Sequence, residues 1–162
     1  MSESTAYRKD DADMIDLWRA MVAQGEDLPV VMPVRGVSML PLLKAGRDSV
    51  TVIPLRRELM IGDIIVFRRE DGFYVVHRVR DLTQSDVETI GDNCLDPDAR
   101  FAFKDVCGLV SHIRRRGRLI LVDTPFWRFY GRFWMHMLPV RSFYRKKIRS
   151  PLREAVRRVF GI

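Results

Sequence analysis

The chain has 162 residues, 47% of them apolar, with 28 Lys and Arg against 21 Asp and Glu for a formal net charge of +7. That is enough apolar material for one ordinary core and too much for a disordered chain, so a single domain with appendages is expected. Two cysteines, Cys94 and Cys107, exclude a disulfide-built scaffold, and no linker, repeat or low-complexity tract divides the sequence.

Residues 1 to 10 are polar and are expected to fray. From Asp11 to Ala23 the apolar residues Met14, Leu17, Trp18, Met21 and Val22 recur at helical spacing. Asp10 or Asp11 is the expected cap and Gly25 the stop. This amphipathic helix is too short and too charged to span a bilayer. Nothing at the N-terminus reads as a secretory signal, so a reducing, cytoplasmic setting is the expectation.

Beyond Gly25 the period changes to that of short strands. Leu28 to Val34, Ser49 to Ile53, Asp63 to Phe67, Tyr74 to Val79, Val87 to Ile90, Val106 to His112 and Leu119 to Val122 carry β-branched or alternating apolar residues, with Gly, Asp or Pro between them. Asp71-Gly72 is a good hairpin turn. The expected organisation is an N-terminal tail and helix over 1–27, a mainly antiparallel, coiled β-domain over 28–122, and a basic, aromatic-rich helical tail over 123–162.

Two stretches of the β-region can carry chemistry. Val34-Arg35-Gly36-Val37-Ser38-Met39-Leu40-Pro41 sets one serine between a glycine turn and a proline. A serine hydroxyl is a poor nucleophile at neutral pH and needs a base within hydrogen-bond reach. The strand Phe73-Tyr74-Val75-Val76-His77-Arg78-Val79 offers one, because a histidine can accept the serine proton and return it to a leaving amine. Taken singly, a loop serine is more often a turn cap and a strand histidine a packed residue. Lys44 is a rival base, though its place before Gly46 suits a surface loop better. His77, Asp92, Cys94 and Asp98 are metal-ligand types without the spacing of a structural zinc site, so no metal or other cofactor is called for. His112 is read as the end of a strand.

Five blocks in order strengthen the pairing. Gly36-Val37-Ser38-Met39-Leu40-Pro41, Leu59 through Phe67, Val75-Val76-His77-Arg78-Val79, Gly91-Asp92-Asn93 through Asp98, and Val106-Cys107-Gly108-Leu109-Val110 together resemble the signal peptidase and SOS-repressor peptidase clan over about residues 30 to 113. The clan's bacterial-type members use a lysine base. A histidine at this point resembles the archaeal and endoplasmic-reticulum branch. The resemblance implies the clan's β-fold, Ser38 as nucleophile, His77 as general base, and Asp92 or Asp98 orienting the imidazole. It also implies an extended peptide or protein substrate, such as a leader or precursor, lying along Val34, Arg35, Gly36 and Val37. The strand edge Val30 to Arg35 would supply main-chain hydrogen bonds. Two departures stand out. Gly36 replaces a serine that helps bind the oxyanion in many signal peptidases, leaving the Ser38 N–H and an unassigned second donor. The helix over 11–23 stands where such enzymes usually hold a transmembrane anchor. The alternative function is a catalytically silent peptide- or membrane-binding module of the same fold.

Charge divides sharply along the chain. Residues 1–110 hold 14 Lys and Arg against 19 Asp and Glu, and residues 111–162 hold 14 against 2. Pro125 to Leu138 reads as a helix on which Arg128, Arg132 and His136 form one narrow polar stripe, so most of its circumference is expected to be buried. Ser150-Pro151 offers a second helix start, with Leu152, Val156, Val159 and Phe160 opposed to Arg149, Arg153, Arg157 and Arg158. The tail over 126–160 reads either as an interfacial element for an anionic membrane, which would make the protein peripheral at the inner membrane face, or as a solvated basic face on helices that pack on the β-domain or meet a partner. Nucleic acid is the less favoured partner, because no helix-turn-helix, zinc or RNA-binding signature accompanies the charge. No feature specifies an oligomeric state.

Overall fold

A computed structural model describes residues 9–122 and 124–144. The expected frayed segment falls mostly, and the helix from Ser150 wholly, outside the described residues. Among those residues the elements in chain order are α1 (Lys9–Ala23), β1 (Val30–Pro33), β2 (Asp48–Ile53), β3 (Ile64–Arg68), β4 (Tyr74–Leu82), β5 (Asp86–Ile90), β6 (Phe101–Ala102), a 3₁₀ turn at Phe103–Asp105, β7 (Val106–Arg115), β8 (Arg118–Leu121), α2 (Pro125–His136) and α3 (Leu138–Tyr144).

The protein is mainly β. One antiparallel sheet runs in the order β1-β2-β7-β3-β4-β5-β6, with β8 added to β7, and curls into a half-barrel. Its central strands are covered on both faces, which is why they read as nearly continuous apolar runs. Ile64 and Val66 of β3 and Tyr74 and Val76 of β4 join one core with Ile15, Trp18, Met32 and Val50. The alternate residues Ile65, Phe67, Val75 and Val79 join a second core with Leu59, Val87 and Leu109. Strand alternation therefore sends the neighbours His77 and Arg78 to opposite faces. Gly72 closes the β3–β4 hairpin, its N–H donating to the Arg69 carbonyl at 2.9 Å.

Several expectations needed correction. Asp10 and Asp11 lie inside α1, and Asp11 pairs with Arg35 at 3.0 Å instead of capping the helix. The buried stripe of α1 runs through Ile15 and Trp18, while Leu17 is exposed, because the helix rests on its i, i+3 row. β7 continues through His112 to Arg115, since β2 and β8 pair with it on either side over that stretch. α3 begins at Leu138 and accommodates Pro139 in its first turn, where a missing N–H costs nothing.

Thr124 caps α2, its hydroxyl accepting from the Trp127 N–H at 3.4 Å, with Pro125 in the first turn. The helix docks through backbone contact. A Cβ added to Gly131 would lie 2.6 Å from the Gly62 carbonyl oxygen, so only glycine permits the approach. Of α2's residues only Gly131 is fully buried, which overturns the expectation that most of the circumference is covered. Phe126, Phe129 and Phe133 face outward. Among the described residues no helix is long and apolar enough to cross a membrane.

Candidate functional site

The site is assembled where two loops meet one strand. After β1 the chain turns at Gly36, whose φ is 62°, and enters the tight turns that hold Ser38. β4 presents His77 opposite Ile65 of β3. β5 ends at Ile90, paired with Arg78, so the loop starting at Gly91 leaves the sheet beside His77 and Arg78. The Asp98 N–H then donates to the Thr89 carbonyl at 2.8 Å, which brings the end of that loop back over β5.

Three predicted residues meet in this space. Ser38 Oγ lies 2.9 Å from His77 Nε2, and His77 Nδ1 lies 2.6 Å from Asp98 Oδ2. Ser38 and His77 are buried, and Asp98 is partly open to solvent. Burial alone would raise the Asp98 pKa, but the hydrogen bond from His77, its positive charge when protonated, and the Thr89 hydroxyl donating at 2.6 Å outweigh it and hold the carboxyl below its usual range. An ionised carboxylate only accepts hydrogen bonds, so the proton of neutral His77 sits on Nδ1. Nε2 is left to accept from Ser38 Oγ–H, which is the tautomer a general base requires.

The second aspartate has a different partner. Asp92 receives Arg78 Nε and Nη2 at 2.8 Å each, and Arg78 Nη1 donates to the Gly62 carbonyl at 2.7 Å. Burial would push the Arg78 pKa down, but the Asp92 charge and hydrogen bonds more than compensate and keep it raised. The pair sits beneath α2, with the guanidinium 5.9 Å from the Tyr130 ring centroid. From α3, Arg141 Nη1 donates to the Asp92 carbonyl at 2.8 Å. Asp92 thus fixes the root of the loop whose other end holds Asp98.

The serine loop is tied to the same segment. The Asn93 N–H donates to the Ser38 carbonyl at 2.6 Å and Asn93 Nδ2 to the Val37 carbonyl at 3.0 Å. A Cβ on Gly91 would come within 2.7 Å of the Ser38 carbonyl oxygen and 3.0 Å of His77 Nε2. The glycine is what lets the loop after β5 pass this close to the serine and histidine.

A cleft of about 460 Å³ opens over Ser38 and His77, walled by Asn93 to Asp98 and Arg69. A second hollow of about 340 Å³, between Phe67, Glu70, Asp71, Arg100 and Phe101, shares Arg69 and Asp98 with it. Val37 is exposed, whereas Val34 is buried and its N–H donates to the Asp48 carbonyl at 3.0 Å. β1 ends the sheet order, and among the described residues β2 is the one strand paired with it, so its outer edge can accept an extended peptide. Lys44 is exposed and lines neither hollow. No group of three His, Cys, Asp or Glu among the described residues could hold a metal ion.

Thr89, Gly91, Asn93, Arg78 and Arg141 were not singled out from sequence as parts of the site. Gly91, Asn93 and Arg78 fall within blocks that carried the resemblance, whereas Thr89 and Arg141 had no local signal. Compared with known proteins, the chain matches no family profile, no curated protein and no solved structure.

Proposed function

We propose that this protein is a serine hydrolase that works through an acyl-enzyme. The observation that carries the reading is the relay from Ser38 Oγ through His77 to Asp98, with contacts of 2.9 and 2.6 Å. Within that class the reading is an endopeptidase acting on an extended peptide, such as a leader or precursor, in the manner of the signal peptidase and SOS-repressor clan. The edge of β1 left unpaired among the described residues and the cleft beside Ser38 support it.

Ser38 Oγ attacks the scissile carbonyl carbon as its proton passes to His77 Nε2, and Asp98 stabilises the imidazolium that forms. His77 then delivers that proton to the leaving amine nitrogen as the C–N bond breaks. Water enters, gives a proton to His77 and cleaves the ester, and the proton returns to Ser38 Oγ. Asn93 and Gly91 hold the serine main chain against the histidine throughout.

The test is a mass-spectrometric survey of new peptide N-termini in source-cell extract treated with wild-type protein or Ser38→Ala. New termini that require Ser38 are expected, and their sequences would define the cleavage rule. Wild-type cleavage by Ser38→Ala would overturn the nucleophile. A folded wild-type protein that cleaves no detectable precursor would favour the silent binding module instead, a reading that the 2.9 Å contact does nothing to support.

A further inference from the structure

We infer that the outward face of α2 and α3 is a docking surface for an anionic lipid bilayer. Phe126, Phe129, Phe133, Val140 and Phe143 are 68, 69, 50, 57 and 60% exposed. Steps of three, four, seven and three residues place them along one side of a helix, with exposed His136 filling the long step. The two helices act as one rod at this point. Met137, between them, is in the right-handed helical region, its N–H donates to the Phe133 carbonyl at 3.0 Å, and its carbonyl accepts from the Arg141 N–H at 3.0 Å.

The rod is not loosely attached. Its inner side holds Gly131 against Gly62, half-buried Trp127, Tyr130 and Trp134, and the Arg141 contact with the Asp92 carbonyl. Four phenylalanines are therefore held in water by a helix whose other side is already occupied. A contiguous exposed apolar stripe of this kind marks an interaction surface.

Charge selects the occupant. Residues 111–162 carry 14 Lys and Arg against 2 Asp and Glu, and residues 145–162, which continue from α3, carry 7 against 1. Arg132 is exposed beside Phe133, and Arg114, Arg116 and Arg118 are exposed on the β7–β8 hairpin that leads toward α2. A second copy would bring the same excess of positive charge against itself. Nucleic acid would be met by outward cations, yet the outward stripe here is aromatic. A bilayer with anionic headgroups satisfies both features, because the rings enter the headgroup boundary while the cations stay at the charged surface.

The experiment is co-sedimentation of the full chain with vesicles of phosphatidylcholine alone or mixed with phosphatidylglycerol, at low and high salt. Binding is expected only with phosphatidylglycerol, and it should weaken in high salt. Phe126→Ser/Phe129→Ser/Phe133→Ser should melt like the wild type yet partition at least ~100-fold more weakly, from the lost burial of three rings. Phe129→Ser alone gives a milder check on the same surface. Ser38→Ala should bind vesicles like the wild type, which separates this inference from the peptidase reading. No partition onto phosphatidylglycerol vesicles would overturn it, as would equal partition of the folded triple variant. A wild-type dimer that becomes monomeric in the triple variant, without vesicle binding, would assign the surface to self-association instead.

Discussion

Replacing Asp98 with Asn keeps its shape and removes its charge. His77 Nδ1 faces the Asp98 carboxylate across 2.6 Å, where an imidazolium formed during the proposed acylation would meet it. With charge centres about 4 Å apart and an effective dielectric near 20, the attraction is about 4 kcal/mol, or ~10³-fold in rate. The amide also has a donor to turn toward His77 Nδ1. That contact favours the tautomer with a proton on Nε2, which can no longer accept from Ser38 Oγ–H. The assay needs no substrate: the second-order rate of Ser38 phosphonylation by a fluorophosphonate probe, read by intact mass. Asp98→Asn is expected to react roughly 10³-fold more slowly than wild type, with an unchanged circular-dichroism spectrum. A folded Asp98→Asn that reacts within about threefold of wild type would refute the assignment of Asp98 as the orienting group.

Asp92→Asn should act mainly on stability. It leaves the buried Arg78 guanidinium without its counter-charge, for a loss of about 3 to 5 kcal/mol and about 10 °C or more in melting temperature; an unchanged melting curve would contradict the ion pair. Gly91→Ala should slow fluorophosphonate labelling more than it lowers the melting temperature, because the added methyl meets the Ser38 carbonyl, Cys94 Sγ and His77 Nε2 together. Burial pushes the Cys107 thiol up to about 12, despite the opposing influence of Arg19, so iodoacetamide near neutral pH should modify Cys107 only after unfolding. Asp98 has a depressed pKa in the folded protein, so its contribution to stability is full above the ordinary carboxylate range and is lost as pH falls through the folded value. Acid titration below about pH 4 should therefore show a shallower loss of stability in Asp98→Asn than in wild type.

The strands were legible because alternation and turn residues are local. All seven stretches expected as strands are found, with ends moved by a few residues and the two-residue β6 added. The helix faces were less legible. Met14, Leu17, Trp18, Met21 and Val22 satisfy the helical period, but the period does not say which adjacent row meets the sheet, and the choice fell on Ile15 and Trp18. On α2 the arginines suggested the wet side, yet the small Gly131 decides where the helix rests, and the phenylalanines turn outward. Among the site residues, Ser38 and His77 were weak signals singly and became candidates through the five ordered blocks of the resemblance. The division of labour between Asp92 and Asp98 was beyond reach, since it depends on one main-chain bond from Asp98 to Thr89 and on Arg78 pointing to the opposite face from His77.

That opposite face links α2 and α3 directly to the site. Arg78 follows His77 in β4, so the contacts that hold its guanidinium anchor the strand that carries the imidazole. The guanidinium is held by Asp92, by the Gly62 carbonyl, and beside Tyr130 of α2, while α3 reaches the Asp92 carbonyl through Arg141. Asp92 precedes Asn93, whose N–H holds the Ser38 carbonyl. Serine and histidine are thus both attached, through one buried ion pair, to the helices that carry the exposed aromatic stripe. A load on that stripe would reach Ser38 and His77 through bonds already formed, so α2, α3 and the Ser38–His77–Asp98 cluster are parts of one connected network.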